Sequence, residues 1–78
     1  MKKQNVIGPA VHRLRQSASL PVEELAVRMA RAGSTLSSKD IAAIESGNRR
    51  VKDMEVLHFA RALGVCMKDL YPRRGRTD

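Results

Sequence analysis

Hydrophobic residues recur along this chain at the spacing of helical faces. The first set has the i, i+3, i+4, i+7 spacing of one side of a helix. Its members are Ile7, Ala10, Val11 and Leu14. Gly8 and Pro9 stand at the start, where the fixed φ of proline is tolerated. The pattern predicts a first helix from about Pro9 to Gln16.

A second set with the same spacing predicts a second helix over about Pro21–Ala32. The set consists of Val22, Leu25, Ala26 and Met29. Glutamates in the first turn and arginines in the last turn suit the helix dipole, and Gly33 is typical of a left-handed terminator.

The clearest local signal is a capping box at the start of a short third helix. Ser37 can accept from the free amides, and Asp40, three residues on, can bond back. Leu36 and Ile41 occupy the positions of a hydrophobic staple. We expect this helix to begin after Ser37 and to end near Ser46, with Gly47 as its terminator.

Two further helices are predicted in the last third of the chain. Asp53 is the expected cap of a fourth helix, which Gly64 closes. Its inward residues are expected to be Val56, Leu57, Ala60 and Leu63. A final short turn of helix carries Met67, Leu70 and Tyr71 before Pro72 stops it. The chain is thus predicted to be all-α, with five helices.

The length of 78 residues fits one domain. Residues 1–6 and 73–78 lack periodicity, and we expect them to be flexible basic tails. The formal net charge is +7, which suggests an anionic partner such as a nucleic acid. Because five of the fifteen basic residues lie in the tails, the alternative that they only aid solubility stays open.

Other classes of protein find little support in the sequence. The single cysteine, Cys66, excludes an internal disulfide and a four-cysteine zinc site. We see no apolar run long enough to span a bilayer, no signal peptide and no catalytic constellation, and expect a cytoplasmic protein that is not an enzyme. His12 and His58 are assigned to surface or packing roles rather than to metal, and no cofactor is expected.

The third predicted helix has two distinct faces when it is drawn at 100° per residue. Ile41, Ile44 and Glu45 fall within about 100° of one another. The opposite side carries Lys39, Ala42, Ala43 and Ser46. A helix with such a slim outer face can enter the DNA major groove, which is about 12 Å wide. An ordinary surface helix with small outer residues explains the same pattern.

Taken together, the motifs of this chain resemble those of the phage repressor and Cro family, also called the xenobiotic-response-element family. They are Ile7-Gly8-Pro9, Leu14-Arg15, Glu24-Leu25-Ala26, Leu36-Ser37, Ile41, Ile44-Glu45-Ser46-Gly47-Asn48-Arg49-Arg50-Val51 and Ala62-Leu63-Gly64-Val65. The resemblance implies a five-helix lambda-repressor-like domain in which helices two and three form a helix-turn-helix. It also implies a sequence-specific regulator of transcription, most simply a repressor, that binds double-stranded DNA.

The resemblance also assigns roles to individual residues. The positions expected to face bases are Ser38, Lys39, Ala42 and Ala43. Those expected to face phosphates are Ser37, Ser46, Asn48, Arg49 and Arg50. Arg15 and Glu45 are expected to form a structural ion pair. Three departures weaken parts of this pattern. Pro21-Val22 replaces a polar residue at the start of helix two, and Cys66 replaces a capping hydroxyl. The third is a longer spacing between helices two and three, from which we expect helix two to be extended by a turn and the link through Ala32 to Thr35 to be lengthened.

Two other functions remain open at this point. An antitoxin or anti-repressor would keep the fold and chiefly bind another protein. RNA binding is disfavoured because the deep, narrow major groove of RNA excludes a reading helix. The family usually binds DNA as a two-fold dimer, and the last helix with the C-terminal segment is the expected dimer surface. Met54 and Met67 are core filler or part of that surface, and no small-molecule ligand is evident.

Overall fold

The computed structural model describes residues 3–72 and is all-helical over that range. It contains four α-helices: α1 (Gly8–Ser17), α2 (Val22–Arg31), α3 (Ser38–Glu45) and α4 (Asp53–Leu63). One turn of 3-10 helix, Met67–Leu70, follows them. The remaining residues of the predicted tails, residues 1, 2 and 73–78, lie outside the described part of the chain.

The last predicted helix is a single 3-10 turn, so the count of five α-helices is not met. Tyr71 ends this turn with φ −96° and ψ 148°, which is an extended conformation. It is followed by Pro72, and a residue before proline is pushed from the α region towards extended backbone because the proline ring would clash with it. A single turn is therefore all that fits between Cys66 and Pro72.

The helices enclose one core of aliphatic residues around a single aromatic ring. Phe59 on α4 is fully buried, together with Leu25 and Met29 of α2. The inward face of α4 consists of Val56, Phe59, Ala60 and Ala62. Leu57 and Leu63, which the pattern placed inward, are only half-buried. Phe59 takes the central position because it is the largest side chain available to this core.

The predicted cap of α3 is confirmed, whereas that of α4 is wrong. Ser37 Oγ accepts from the Asp40 amide at 3.2 Å, and an Asp40 carboxylate oxygen accepts from the Ser37 amide at 3.0 Å. Asp53 is the first helical residue of α4 and Lys52 its N-cap. The Lys52 amide donates to Glu55 at 2.9 Å, so Glu55 bonds back to the helix start without a capping hydroxyl.

The connection between α2 and α3 runs through residues 32–37. Gly33 adopts φ +105°, which only glycine enters readily, and it turns the chain at the end of α2. Ser34 is buried, and its amide donates to Met29 O while its hydroxyl accepts from the Leu36 amide at 3.0 Å. α2 ends at Arg31, so residues 32–37 all belong to the connection.

Residues 3–5, which we call the N-terminal strap, were expected to belong to a flexible tail but lie against the end of α3. The Gln4 amide donates to Gly47 O at 2.8 Å. Asn5 Nδ2 donates to Ile44 O at 3.1 Å and to Arg49 O at 2.7 Å. Asn5 Oδ1 accepts from the Gly8 amide at 2.7 Å. The sequence pattern does not indicate these contacts, because polar bonds to distant backbone leave no hydrophobic period.

Within residues 3–72, no helix has the length and apolar character that crossing a membrane requires.

Candidate nucleic-acid interface

Helix α3 is buried on one side and exposed on the other. Ile41 and Ile44 have no exposed surface and anchor the helix in the core. The positions expected to face bases lie on the other side, where Lys39 and Ala42 are exposed and Ser38 and Ala43 are half-exposed. The solvent-facing side of α3 therefore carries mostly short side chains.

An ion pair joins α3 to α1 at the C-terminal end of α3. Arg15 Nε donates to Glu45 Oε2 at 2.6 Å, and Arg15 Nη2 donates to Glu45 Oε1 at 3.0 Å. The side chains are only 16% and 8% exposed. Arg15 Nη1 also donates to Leu20 O at 2.9 Å, and His12 Nδ1 lies 2.9 Å from Glu45 Oε1. This two-pronged contact restricts rotation of α3 against α1.

Electrostatics favour the charged forms of both partners. Burial alone would raise the pKa of Glu45, but hydrogen bonds from Arg15 and His12 outweigh it and leave that pKa below its ordinary value. The hydrogen bond to Glu45 raises the pKa of Arg15 further. At the other end of α3, the bond from the Ser37 amide lowers the pKa of Asp40, so the capping carboxylate is ionised as well.

The backbones of α1 and α3 approach closely at Gly8. A β-carbon built there would collide with the carbonyl oxygen of Ile44 and lie 3.0 Å from that of Glu45. Only glycine leaves room for this contact. The approach and the Arg15–Glu45 pair together set how far α3 stands out from the domain.

The segment after α3 contains the three residues expected to form a phosphate clamp, and they are not equivalent. Asn48 and Arg50 are exposed. Arg49 is half-buried and its Nη1 donates to Glu55 Oε1 at 3.2 Å and to Arg50 O at 3.0 Å. Its Nε lies 3.9 Å from Asp40 Oδ1. Arg49 thus ties the segment to α3 and α4.

The two serines expected to face phosphates are engaged in capping. The Ser37 hydroxyl donates to Asp40 Oδ2 at 3.1 Å while accepting from the Asp40 amide. The Ser46 hydroxyl donates to Ala43 O at 3.0 Å. Both serines are exposed, but each hydroxyl proton already has an acceptor inside the protein.

The strap adds polar groups that the sequence patterns did not single out. Lys3 Nζ donates to Ser46 O at 2.9 Å, and Arg50 Nε donates to Gln4 Oε1 at 3.5 Å. Lys3 and Gln4 therefore lie beside the end of α3 and the segment that follows it. The sequence gives no sign of these contacts beyond the positive charge of Lys3.

A metal site is not evident in the described range. Residues 3–72 hold no group of three His, Cys, Asp or Glu side chains placed to bind one ion. His12 is engaged with Glu45, and His58 is half-buried near Gly33.

Comparison with known proteins identifies the class of fold. Neither a family model nor a curated protein matches the chain. Among solved structures, the restriction-modification controller protein C.AhdI from Aeromonas hydrophila matches with TM-score 0.74 and 26% identity, over 83% of this chain and 91% of that one. The DNA-binding domain of BldD matches with TM-score 0.72 and 18% identity, over 92% of this chain and 100% of that one.

The fold is that of helix-turn-helix DNA-binding domains. The resemblance to the repressor and Cro family, seen first in the sequence motifs, is confirmed by these two structures. Both neighbours are DNA-binding or regulatory proteins rather than enzymes, which supports the prediction that this chain is not an enzyme.

Proposed function

We propose that this protein is a regulator of transcription that binds double-stranded DNA by inserting α3 into the major groove. The observation that carries the proposal is the slim, exposed side of α3, which a capping box fixes at one end and the Arg15–Glu45 pair fixes at the other. The similarity to a restriction-modification controller protein supports a regulatory role. Repression would follow if α3 docks where RNA polymerase must bind.

The exposed residues of α3 define what the helix can read. Lys39 can donate to the O6 and N7 atoms of guanine, and Ala42 and Ala43 can contact thymine methyl groups. Ser38 can donate to or accept from a base edge. Because this set offers few polar groups, we infer that DNA shape supplies part of the specificity.

Phosphate binding is assigned most directly to Asn48 and Arg50, which are exposed beside the end of α3. Arg49 is assigned instead to bracing the segment, since its guanidinium already contacts two carboxylates. The hydroxyl protons of Ser37 and Ser46 are donated to acceptors inside the protein. Because a phosphate oxygen only accepts hydrogen bonds, each serine would have to give up that acceptor, or act through a bridging water, to contact DNA.

A homodimer is proposed through the groove between α1 and the 3-10 turn, close to the surface expected from the sequence. Apolar groups line this groove, among them Leu14, Val65 and Pro72. Val6 and Tyr71 at its rim are 57% and 43% exposed. A protein-binding role such as that of an antitoxin would use the same groove. Sedimentation equilibrium distinguishes a homodimer from a monomer that binds another protein. A protein that stays monomeric at all concentrations, both free and on DNA, argues against the dimer.

The experiment that tests the function is selection of tight binders from random duplex DNA, followed by titration of the selected and a scrambled duplex. We expect Lys39→Ala to weaken the selected duplex about tenfold or more, as loss of a base contact costs roughly 1–3 kcal/mol, and to affect the scrambled one much less. Arg61→Ala, at an exposed position of α4 outside the dimer groove, is the control. Equal losses on both duplexes would contradict base reading by Lys39, and failure to bind any duplex would contradict the function.

A further inference from the structure

The strap places a cation at the C-terminal end of α3. Lys3 Nζ lies 2.9 Å from Ser46 O, and the aliphatic part of Lys3 runs across Gly47, where a β-carbon would collide with it. Gly47 is buried and has φ +84°, so the chain turns there without a side chain in the way. The ammonium group is therefore held beside the exposed side of α3 rather than far from it.

The electrostatics of this end of α3 call for such a cation. The last carbonyl groups of a helix carry partial negative charge, which would repel a DNA phosphate brought close to them. Arg49, the nearest cation in the following segment, is drawn towards Asp40 and Glu55. Lys3 covers the exposed Ser46 carbonyl, and an ammonium group has three donors, of which this bond uses one.

Hydrogen bonds of Asn5 hold the strap in this position. Its amide nitrogen bridges Ile44 O and Arg49 O, and its oxygen accepts from the Gly8 amide. Asn5 thus connects the start of α1, the end of α3 and the segment after it. The Gln4 amide adds a bond to Gly47 O, and the Gln4 side chain accepts from Arg50. Lys3 and Arg50 therefore belong to one hydrogen-bonded network, which joins the strap to the end of α3 and the segment after it.

We propose that Lys3 is a DNA phosphate ligand, positioned by Asn5 and acting in a row with Asn48 and Arg50 beside α3. The proposal rests on the proposed function and extends its site to the N-terminal strap. The ligand is a phosphodiester of duplex DNA, and the ammonium group contacts it with a donor that Ser46 O leaves unused. If the role of Lys3 were purely structural, it would cap α3 and would not add to the number of DNA phosphates that the protein contacts.

The salt dependence of DNA binding separates these two roles, because each phosphate contact contributes about 0.9 to the slope of log K against log salt concentration on duplex DNA. We expect Lys3→Gln in the full chain to lower the magnitude of that slope by about 0.9 for each bound protomer, or about 1.8 for the proposed homodimer, on both selected and random duplexes. Lys3→Arg retains the charge and should keep the slope. Arg61→Gln removes one positive charge from an exposed position of α4, outside the groove proposed for the dimer, and should leave the slope unchanged.

Arg50→Gln serves as the reference for the proposed function and should lower the slope by a similar amount. If Arg50→Gln lowers the slope and Lys3→Gln matches the Arg61→Gln control, the role of Lys3 is overturned while the DNA-binding function stands. If the wild-type protein binds duplex DNA with no salt dependence or not at all, the function itself fails. Circular dichroism and the thermal midpoint of each variant verify that the fold is intact.

Discussion

At the scale of single residues, the Arg15–Glu45 pair is the contact on which the placement of α3 depends most. Glu45 is the last residue of α3, and its carboxylate faces two side chains of α1. Since the Glu45 side chain is 8% exposed, little water is available to replace a lost partner. The pair therefore matters less for the net strength of the attraction than for the cost of leaving either charge alone.

Replacement of Glu45 by glutamine tests this cost. We expect Glu45→Gln to lower the free energy of unfolding by about 3 kcal/mol, near the lower end of the range for breaking a buried pair, because Arg15 keeps its bond to Leu20 O. Urea titration measures the change. In a double-mutant cycle with Arg15→Gln, additive losses would show that the two side chains are not coupled.

The same pair predicts how stability changes in acid. Because the pKa of Glu45 is lowered in the folded state, its contribution is complete above the ordinary glutamate value of about 4.3 and is lost as pH falls through the folded-state value. Stability should therefore fall below pH 4, and Glu45→Gln should flatten that fall. An unchanged acid profile in this variant would assign the loss to other carboxylates.

Part of the site could be predicted from residue spacing alone. Lys39 and Ala42 were placed on the outer side of the third helix by its 3.6-residue period, and both are exposed. The bonds of Arg49 to Glu55 and of Asn5 to the end of α3 could not be predicted, because they join residues that only tertiary packing brings together.

At the scale of elements, the distance between α1 and α3 is set by Gly8. Glycine normally weakens a helix relative to alanine, by roughly 0.5–1 kcal/mol within its interior. In α1 the missing β-carbon is what permits contact with the backbone of α3, and a backbone carbonyl cannot rotate away as a side chain would. At this position packing therefore favours glycine, whereas helix propensity favours alanine.

Substitution of Gly8 by alanine decides which effect is larger. We expect Gly8→Ala to destabilise the fold by about 1–2 kcal/mol, since overpacking a well-packed contact costs about 1–3 kcal/mol and the gain in propensity is smaller at the first helical position. Thermal unfolding measures the change. Gln16→Ala, at an exposed position of α1, is the control and should leave stability nearly unchanged. A Gly8→Ala variant that is as stable as this control would show that α1 and α3 can move apart without loss of stability.

Helices were predicted better than their ends. All four α-helices lie within two residues of the ranges that periodicity indicates, because each buries an apolar stripe of sufficient length. The start of α4 and the extent of the last turn depend on local competition. Glu55 bonds the start of α4 in place of Asp53, and Pro72 prevents a full fifth helix. Such choices differ little in free energy, so the pattern alone does not decide them.

At the scale of the whole molecule, the core and the proposed DNA-binding surface are separate parts of one small domain. Phe59 and the aliphatic residues around it hold the four helices together, while α3 exposes small side chains at the surface. Two such domains related by a two-fold axis would present their α3 helices to half-sites about 34 Å apart on one face of the duplex. The two functions of the chain, folding and recognition, thus use different residues of α3.

The most direct test of this account is the DNA affinity of Ala42→Glu, measured by fluorescence anisotropy on the selected duplex. A carboxylate at this exposed position should reduce affinity on the order of a hundredfold by repulsion from DNA, and leave the unfolding free energy within about 0.5 kcal/mol of the wild type. Arg61→Gln, at an exposed position of α4, changes the net charge equally and should bind almost normally. Wild-type affinity in a folded Ala42→Glu protein would contradict insertion of α3 into the major groove.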